Sequence, residues 1–356
     1  SLANVDLAAV NVRDISMTAS ASATTLRSLD ARITGLDRTY TVRFEEGHDE
    51  FELCRTLMNN PDVDFAVPVY IHKLFYTPND PQFASQGFLN VIRAPQAWDI
   101  TKGSADVVVA IIDSGTDWQH EDLAESIWIN TKEVPNNGID DDNNGYIDDI
   151  RGWDFVGNVT QQQAMQQAFR PDNDPRVSGT NLDGVRAHGT TVAGNAIART
   201  NNGKGIAGVG HDCKILAVKC GSDVGGVSGI YRGYEGIIYA ADMGADIINC
   251  SWGGPGADPA AQSVIDYALS KGSMVIAAAG NDGQPFENYP QAPATLSGVM
   301  SVGSSSNNDR VSSFTNHGWQ NVLYAPGENP LSTYPGNQYR GQTGTSFSSP
   351  DRKSVV

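Results

Sequence analysis

The sequence predicts an α/β fold for most of its length: a three-layer sandwich with a mostly parallel central sheet, preceded by a small α+β domain. Three observations predict it. Four nearly continuous apolar runs, ADVVVAIIDSG (105–115), KILAVKC (214–220), ADIINCSWGG (245–254) and GSMVIAAAGN (272–281), read as strands covered on both faces, as in parallel sheets. Helical stretches at HGTTVAGNAIA (188–198), GIYRGYEGIIYAADMG (229–244) and PAAQSVIDYALSKG (259–272) give the strand–helix alternation of a layered fold. The composition agrees, because 356 residues with 40% hydrophobic content suffice for a large core and two domains, and 37 glycines with 17 prolines mark many turns.

Taken in order, residues 1–76 form one compositional unit, of which 1–38 show no clear pattern. YTVRFEEG (40–47) alternates like a strand, and DEFELCRTLMNN (49–60) puts Phe51, Cys54, Leu57 and Met58 on one helical face. VDFAVPVYIHKLF (63–75) returns to strand period. YTPNDPQF (76–83), with two prolines and no periodicity, opens a connecting segment over 77–97. The large domain then covers 98–350, with VMSVGSSS (299–306) and VLYAPG (322–327) as further strands.

A net charge of −17 argues against nucleic acid and anionic membrane surfaces as partners. The four cysteines (Cys54, Cys213, Cys220, Cys250) include no CxxC pair, which disfavours a thiolate zinc site. Cys213 and Cys220 flank an apolar strand and fit a bridge or two buried thiols equally well. No apolar stretch reaches the 18 residues of a membrane span. SLANVDLAAV lacks a basic start and a cleavage site, so any leader peptide is expected before residue 1.

The insertion 133–151 contains NNGIDDDNNGYIDD, with five aspartates within ten residues. Asp140, Asp142, Asn144 and Asp148 stand at relative positions 1, 3, 5 and 9, with Gly145 at 6 and Tyr146 at 7, the oxygen-ligand rhythm of a calcium loop. Arg151 stands where an EF-hand has its bidentate Glu, so a complete EF-hand is excluded and a structural calcium clip is expected. A solvated acidic turn is the alternative.

Three side chains fall at element ends. Asp113 closes VVVAIID, His188 opens a helix rich in small residues (Gly189, Thr190, Ala193, Gly194), and Ser346 lies in GTSFSSP, a tight turn leading into a helix. A serine hydroxyl becomes a nucleophile only with an imidazole to take its proton and a carboxylate to fix the imidazole tautomer. Asn281, ending AAAGN, offers an amide donor for a developing oxyanion. Singly, each is more often a cap, a core residue or a turn; together they form one pattern.

On the stretches VVVAIIDSGTDWQHEDL, AHGTTVAG, GTSFSSP and AAAGN, residues 77–350 resemble the subtilisin-like serine proteases. The resemblance implies Asp113 as orienting acid, His188 as general base, Ser346 as nucleophile and Asn281 as oxyanion donor. INCSWGG (248–254) is similar to the family's substrate-binding strand, which implies that Ser251, Trp252 and Gly253 offer backbone groups to an extended peptide. It also implies that 251–254 and 278–281, with Gly254, Ala279 and Gly280, line the pocket for the residue before the scissile bond, often apolar in the family. His188 and Asn281 argue against the sedolisin branch, which has Glu and Asp in those places.

Residues 1–76 resemble the family's inhibitory propeptide, which implies a zymogen processed near residues 74–79 and inhibited by its own first domain. A calcium-stabilised, secreted bacterial endopeptidase, acting as a monomer on protein or peptide substrates, is the expectation. A non-catalytic peptide-binding protein on the same scaffold is one alternative, and a non-peptidase serine hydrolase is another, although Ser346 lacks a GxSxG setting. Two departures stand out. Thr191 replaces a second histidine usual in the family, with a packing effect expected. DRKSVV (351–356) translates a common sequencing-adapter sequence, so truncation after Pro350, with loss of the serine's supporting helix and poor activity, is also expected.

Overall fold

The computed structural model describes residues 12–17, 38–45, 47, 49–70, 76–177 and 182–351. All of the expected tail 351–356 except Asp351, together with residues 71–75 and most of 1–38, lies outside these. The chain divides into two units, Ser1–Leu74 and Phe75–Val356.

In the small unit, β1 (Val12–Met17) pairs antiparallel with β2 (Tyr40–Phe44), and α1 (Glu50–Met58) follows. The Asp49 carboxylate caps α1 by accepting from the backbone N–H groups of Phe51 and Glu52. The expected strand at 63–75 is not formed over its described part: residues 63–70 join no ladder, and Phe65, Val67, Val69 and Tyr70 are exposed. Pro68 brings no N–H to a ladder, and β2 instead takes its partner from residues 12–17, where no pattern was legible.

The large unit opens with α2 (Gly87–Val91) and α3 (Ala94–Trp98) and centres on a seven-stranded sheet. Its strands are β3 (Val108–Asp113), β4 (Gly152–Asp154), β5 (Lys214–Lys219), β6 (Ile247–Cys250), β7 (Met274–Ala278), β8 (Met300–Ser305) and β9 (Asn321–Pro326), in the order β4-β5-β3-β6-β7-β8-β9. Every pairing is parallel. From β3 the chain passes to the edge strand β4, returns to β5 beside β3, then crosses to β6 on the other side and builds outward to β9, so the carboxyl end of β3 is a topological switch point.

Alternate residues of β3 serve opposite layers. Val108, Ala110 and Ile112 join the core formed with α6 (Gly233–Asp242) and α7 (Pro259–Ser270). Val109 and Ile111 pack with Val192, Ala193, Ala196 and Ile197 of α5 (His188–Ile197). The same alternation turns Asp113 toward α5. A short α4 (Gln161–Met165) decorates the periphery, closed by a capping box between Thr160 and Gln163. An antiparallel hairpin of β10 (Leu331–Tyr334) and β11 (Gln338–Gly341) packs on α5, where the Ser332 and Thr333 hydroxyls donate to the Thr191 and Thr190 carbonyls. The last element is α8 (Thr345–Asp351), whose residues Thr345–Pro350 are buried. Ser346 is thus the second residue of a seven-residue helix, which ends at Asp351; the tail expected to lack helix lies, from residue 352 on, outside the described residues. No disulfide joins Cys213 to Cys220, which decides between the two readings of that pair.

Candidate active site

Asp113, 1% exposed, ends β3 and faces the first residue of α5. His188 Nδ1 lies 2.8 Å from Asp113 Oδ1 and 3.0 Å from Oδ2. A carboxylate only accepts, so Nδ1 carries the proton and Nε2 keeps its lone pair. Ring burial opposes the charged form, but the charge and hydrogen bond of Asp113 outweigh it and raise the His188 pKa above its ordinary 6.5.

The close approach of strand and helix has a local cause. A Cβ at Gly189 would lie 2.5 Å from the Gly115 carbonyl oxygen and 3.0 Å from Asp113 Cβ, so only glycine fits there. Ser114, missed by sequence reasoning, ties the two elements together. Its N–H donates to Asp113 Oδ1 (2.7 Å), its hydroxyl donates to the Arg186 carbonyl (3.0 Å), and it accepts from the Gly189 N–H (3.0 Å). Thr191, in place of the second histidine, is fully buried; its hydroxyl donates to the Ala187 carbonyl and accepts from Gln342 Nε2.

Ser346 stands in the first turn of α8, and the next residue, Phe347, places its ring 5.2 Å from the His188 ring. Two reciprocal bonds clasp Ser346 to the end of β6. Its hydroxyl donates to the Ser251 carbonyl (2.9 Å), and the Ser251 hydroxyl donates to the Ser346 carbonyl (2.8 Å). Asn249 and Ser349, also missed from the sequence, complete the buried network: Asn249 Nδ2 donates to Ser251 Oγ (2.8 Å), and Ser349 Oγ donates to Asn249 Oδ1 (3.0 Å). The Ser346 hydroxyl thus donates to the Ser251 carbonyl, a bond it must give up to pass its proton to the imidazole.

Asn281, exposed, follows the end of β7. Its Oδ1 accepts from both the N–H (2.9 Å) and the hydroxyl (3.1 Å) of Thr345, the residue before Ser346. With the oxygen engaged twice, Nδ2 is the group left to donate. Gly280 has φ +100, and a Cβ there would lie 2.4 Å from Asn316 Nδ2, so the turn requires glycine. Ala279 is buried, its N–H donating to the Val302 carbonyl.

The strand expected to receive peptide is only partly open. Gly254 forms a two-way backbone bridge with Ala292 (3.0 and 2.8 Å), and the Ser251 carbonyl is taken by Ser346. Trp252 and Gly253, between them, enter no such bridge among the described residues. The Trp252 side chain is pinned beneath, its Nε1 donating to the Ile112 carbonyl (2.9 Å) and its ring edge-on to Tyr234.

In the acidic loop, carboxylate oxygens of Glu133, Asp140 and Asp142 lie within 4.8 Å of one another, an all-oxygen cluster capable of holding a divalent cation. Glu133 was not among the residues expected. Asp148, which was, turns elsewhere: both its oxygens accept backbone N–H groups, of Asn137 and Gly138. Asn144 Nδ2 donates to Asp149, and the Tyr146 ring packs against Trp153, Phe155 and Tyr239. The repeat spacing marked the segment, but the turn at Asp148 (φ +56) decided which side chains converge.

A buried carboxylate ending a parallel strand, an imidazole opening the facing helix and a serine opening a third element, in chain order Asp, His, Ser, define a serine-hydrolase site on a parallel α/β sandwich. Residues 104–351 match the model of the subtilase family. The chain belongs to that family, and homology and fold together support a subtilase-type serine endopeptidase. It is 37% identical over 307 residues to a thermophilic serine proteinase of Bacillus sp. (strain AK1), covering 84% of this chain and 63% of that protein. It is 38% identical to thermitase of Thermoactinomyces vulgaris, covering 79% and 84%. Among solved structures, a protease from Pseudoalteromonas arctica PAMC 21717 is similar with a TM-score of 0.60 and 29% identity, covering 78% of this chain and 85% of that one.

Proposed function

We propose that this chain is a secreted serine endopeptidase that cleaves peptide bonds through an acyl-enzyme. The observation carrying it is the Nδ1-anchored imidazole of His188, its free nitrogen available beside the first turn of α8. Ser346 Oγ attacks the scissile carbonyl carbon while His188 Nε2 takes its proton. Asp113 holds the imidazole and stabilises the imidazolium, without itself being protonated. Asn281 Nδ2 donates to the oxyanion as the carbonyl carbon becomes tetrahedral. The imidazolium then protonates the leaving amine, and water repeats the sequence to release the acid. Trp252 and Gly253 supply backbone groups to the extended substrate.

Calcium is the proposed structural ion of the 133–151 loop. Its oxygen-only donors suit a hard cation, and three carboxylates this close repel one another without one. Residues 1–76 are proposed as a propeptide removed by cleavage near residues 74–79. Secretion draws on relatives named as extracellular, including the halolysin-like protease of Natrialba magadii; another, from Bacillus subtilis, is named intracellular.

The test is labelling of the calcium-loaded chain with a fluorophosphonate, read by intact mass, before and after removal of residues 1–76. A single adduct, absent from Ser346→Ala, together with cleavage of a denatured protein, is the expected result. No adduct in either form would favour a non-catalytic binding protein. An adduct without peptide cleavage would favour a different serine hydrolase.

A further inference from the structure

Asn281 stands on a turn in which Asp282 and Gln284 are also exposed. Beneath that turn lies Asn316, which is fully buried. Its N–H donates to the carbonyl of Gly280 (3.0 Å), the residue before Asn281. Its amide oxygen accepts the N–H groups of Asp282 and Gln284 (3.0 Å each), which follow Asn281. Its Nδ2 donates to Asp282 Oδ2 (3.4 Å). Glycine at 280 leaves the space that this amide occupies, since the atom nearest to a Cβ there is Asn316 Nδ2. Asn316 is in turn tied to the sheet. Its carbonyl accepts from Nδ2 of Asn321, the first residue of β9 (2.8 Å), and the hydroxyl of the adjacent Thr315 accepts from the N–H of Ser304 in β8 (2.9 Å).

We infer that Asn316 is a positioning residue for the hydrolysis: it fastens residues 280, 282 and 284 to the sheet, and so sets where Asn281 Nδ2 points as the oxyanion forms. The inference rests on the endopeptidase reading with Asn281 as its oxyanion donor. Two residues share the task. Thr345 holds the Asn281 side chain by its oxygen, and Asn316 holds the backbone on either side of it. A donor of this kind lowers the barrier only if it is aimed before the charge develops, which an untethered surface turn does not provide. Asparagine suits the place because its one carbonyl oxygen has lone pairs for two N–H groups, while its NH₂ faces the Asp282 carboxylate. Aspartate, of the same size, would set a second carboxylate against Asp282.

The experiment is a double-mutant cycle on the full calcium-loaded chain, with kcat and KM measured on a peptide p-nitroanilide. Asn281→Ala should lower kcat by about 10²–10³-fold. Asn316→Ala should lower kcat by about tenfold or more, with KM changed by no more than about threefold. In the Asn281→Ala background the same Asn316→Ala change should cost less than about twofold, because no donor remains to be aimed. A merely structural role would subtract its full loss in both backgrounds, and that additivity overturns the inference. So does parental kcat in Asn316→Ala. Should that variant fail to fold, the cycle is run with Asn316→Ser, and failure of both to fold assigns Asn316 to stability and overturns the inference. The two readings fail separately: a parent that cleaves no peptide overturns the endopeptidase reading, Asn281→Ala at parental kcat overturns Asn281 as oxyanion donor and this inference with it, and additivity overturns this inference alone.

Discussion

Replacing Gly189 by alanine perturbs the Asp113–His188 pair without substituting either residue. The added Cβ would lie 2.5 Å from the Gly115 carbonyl oxygen, where ordinary contact begins at 3.4 Å. The first turn of α5 must then retreat from the end of β3 by about 0.9 Å, because packed backbone has little else to yield. His188 rides on that turn, 2.8 and 3.0 Å from the two carboxylate oxygens. A retreat of that size stretches the contact to roughly 3.7 Å, outside hydrogen-bonding range. Misplacement of a catalytic group by about 1 Å costs on the order of 100-fold in rate, or about 2.7 kcal/mol of barrier. Overpacking adds a stability cost of ~1–3 kcal/mol. The assay is steady-state hydrolysis of a peptide p-nitroanilide by parent and Gly189→Ala, with thermal melts of both. kcat is expected to fall about 100-fold with KM changed by only a few fold, because the peptide-facing strand is untouched. A variant keeping a third or more of parental kcat, at an unchanged melting temperature, would refute the close-packing argument.

Two further predictions concern pH and calcium. His188 accepts a proton only when neutral, so kcat/KM should fall as pH drops through its raised pKa, above 6.5. Asp113→Asn removes the charge that raises that pKa and leaves the burial that lowers it, so the acid limb should move to lower pH while kcat drops about 10⁴-fold; a stationary limb would detach Asp113 from the base. Calcium at about 100 times its Kd should stabilise the folded chain by about 2.7 kcal/mol, seen as a higher melting temperature that EGTA reverses. Asp142→Asn should lose most of that shift, and identical melts with calcium and with EGTA would reject a cation in the 133–151 loop.

Much of the layered fold was legible because burial on both faces leaves a composition signal that needs no partner to read. ADVVVAIIDSG, KILAVKC and GSMVIAAAGN are apolar at their centres, and the strands at 108–113, 214–219 and 274–278 lie within them. Pairing was not legible. YTVRF has the alternation of a strand, but nothing in it says that its partner is VRDISM, some 25 residues earlier, rather than the segment after α1. The acidic loop behaved likewise: its spacing marked a segment capable of holding a cation, yet Glu133 is in the carboxylate cluster while both Asp148 oxygens accept backbone N–H groups instead.

The candidate site divides along the same line. Sequence alone determined which residue types stand at element ends: an aspartate closing a buried strand, a histidine opening a helix of small residues, a serine after Gly-Thr, and an asparagine after a strand. Period and composition are local properties, so they survive without coordinates. Only the tertiary structure decided that Asp113 and His188, 75 positions apart, meet at 2.8 Å. It alone showed that Ser114 clamps them and that Asn249, Ser251 and Ser349 hold the turn bearing Ser346. These residues leave no periodic trace, because their role depends on distances between elements far apart in the chain, which the packing of the sheet and its helices sets.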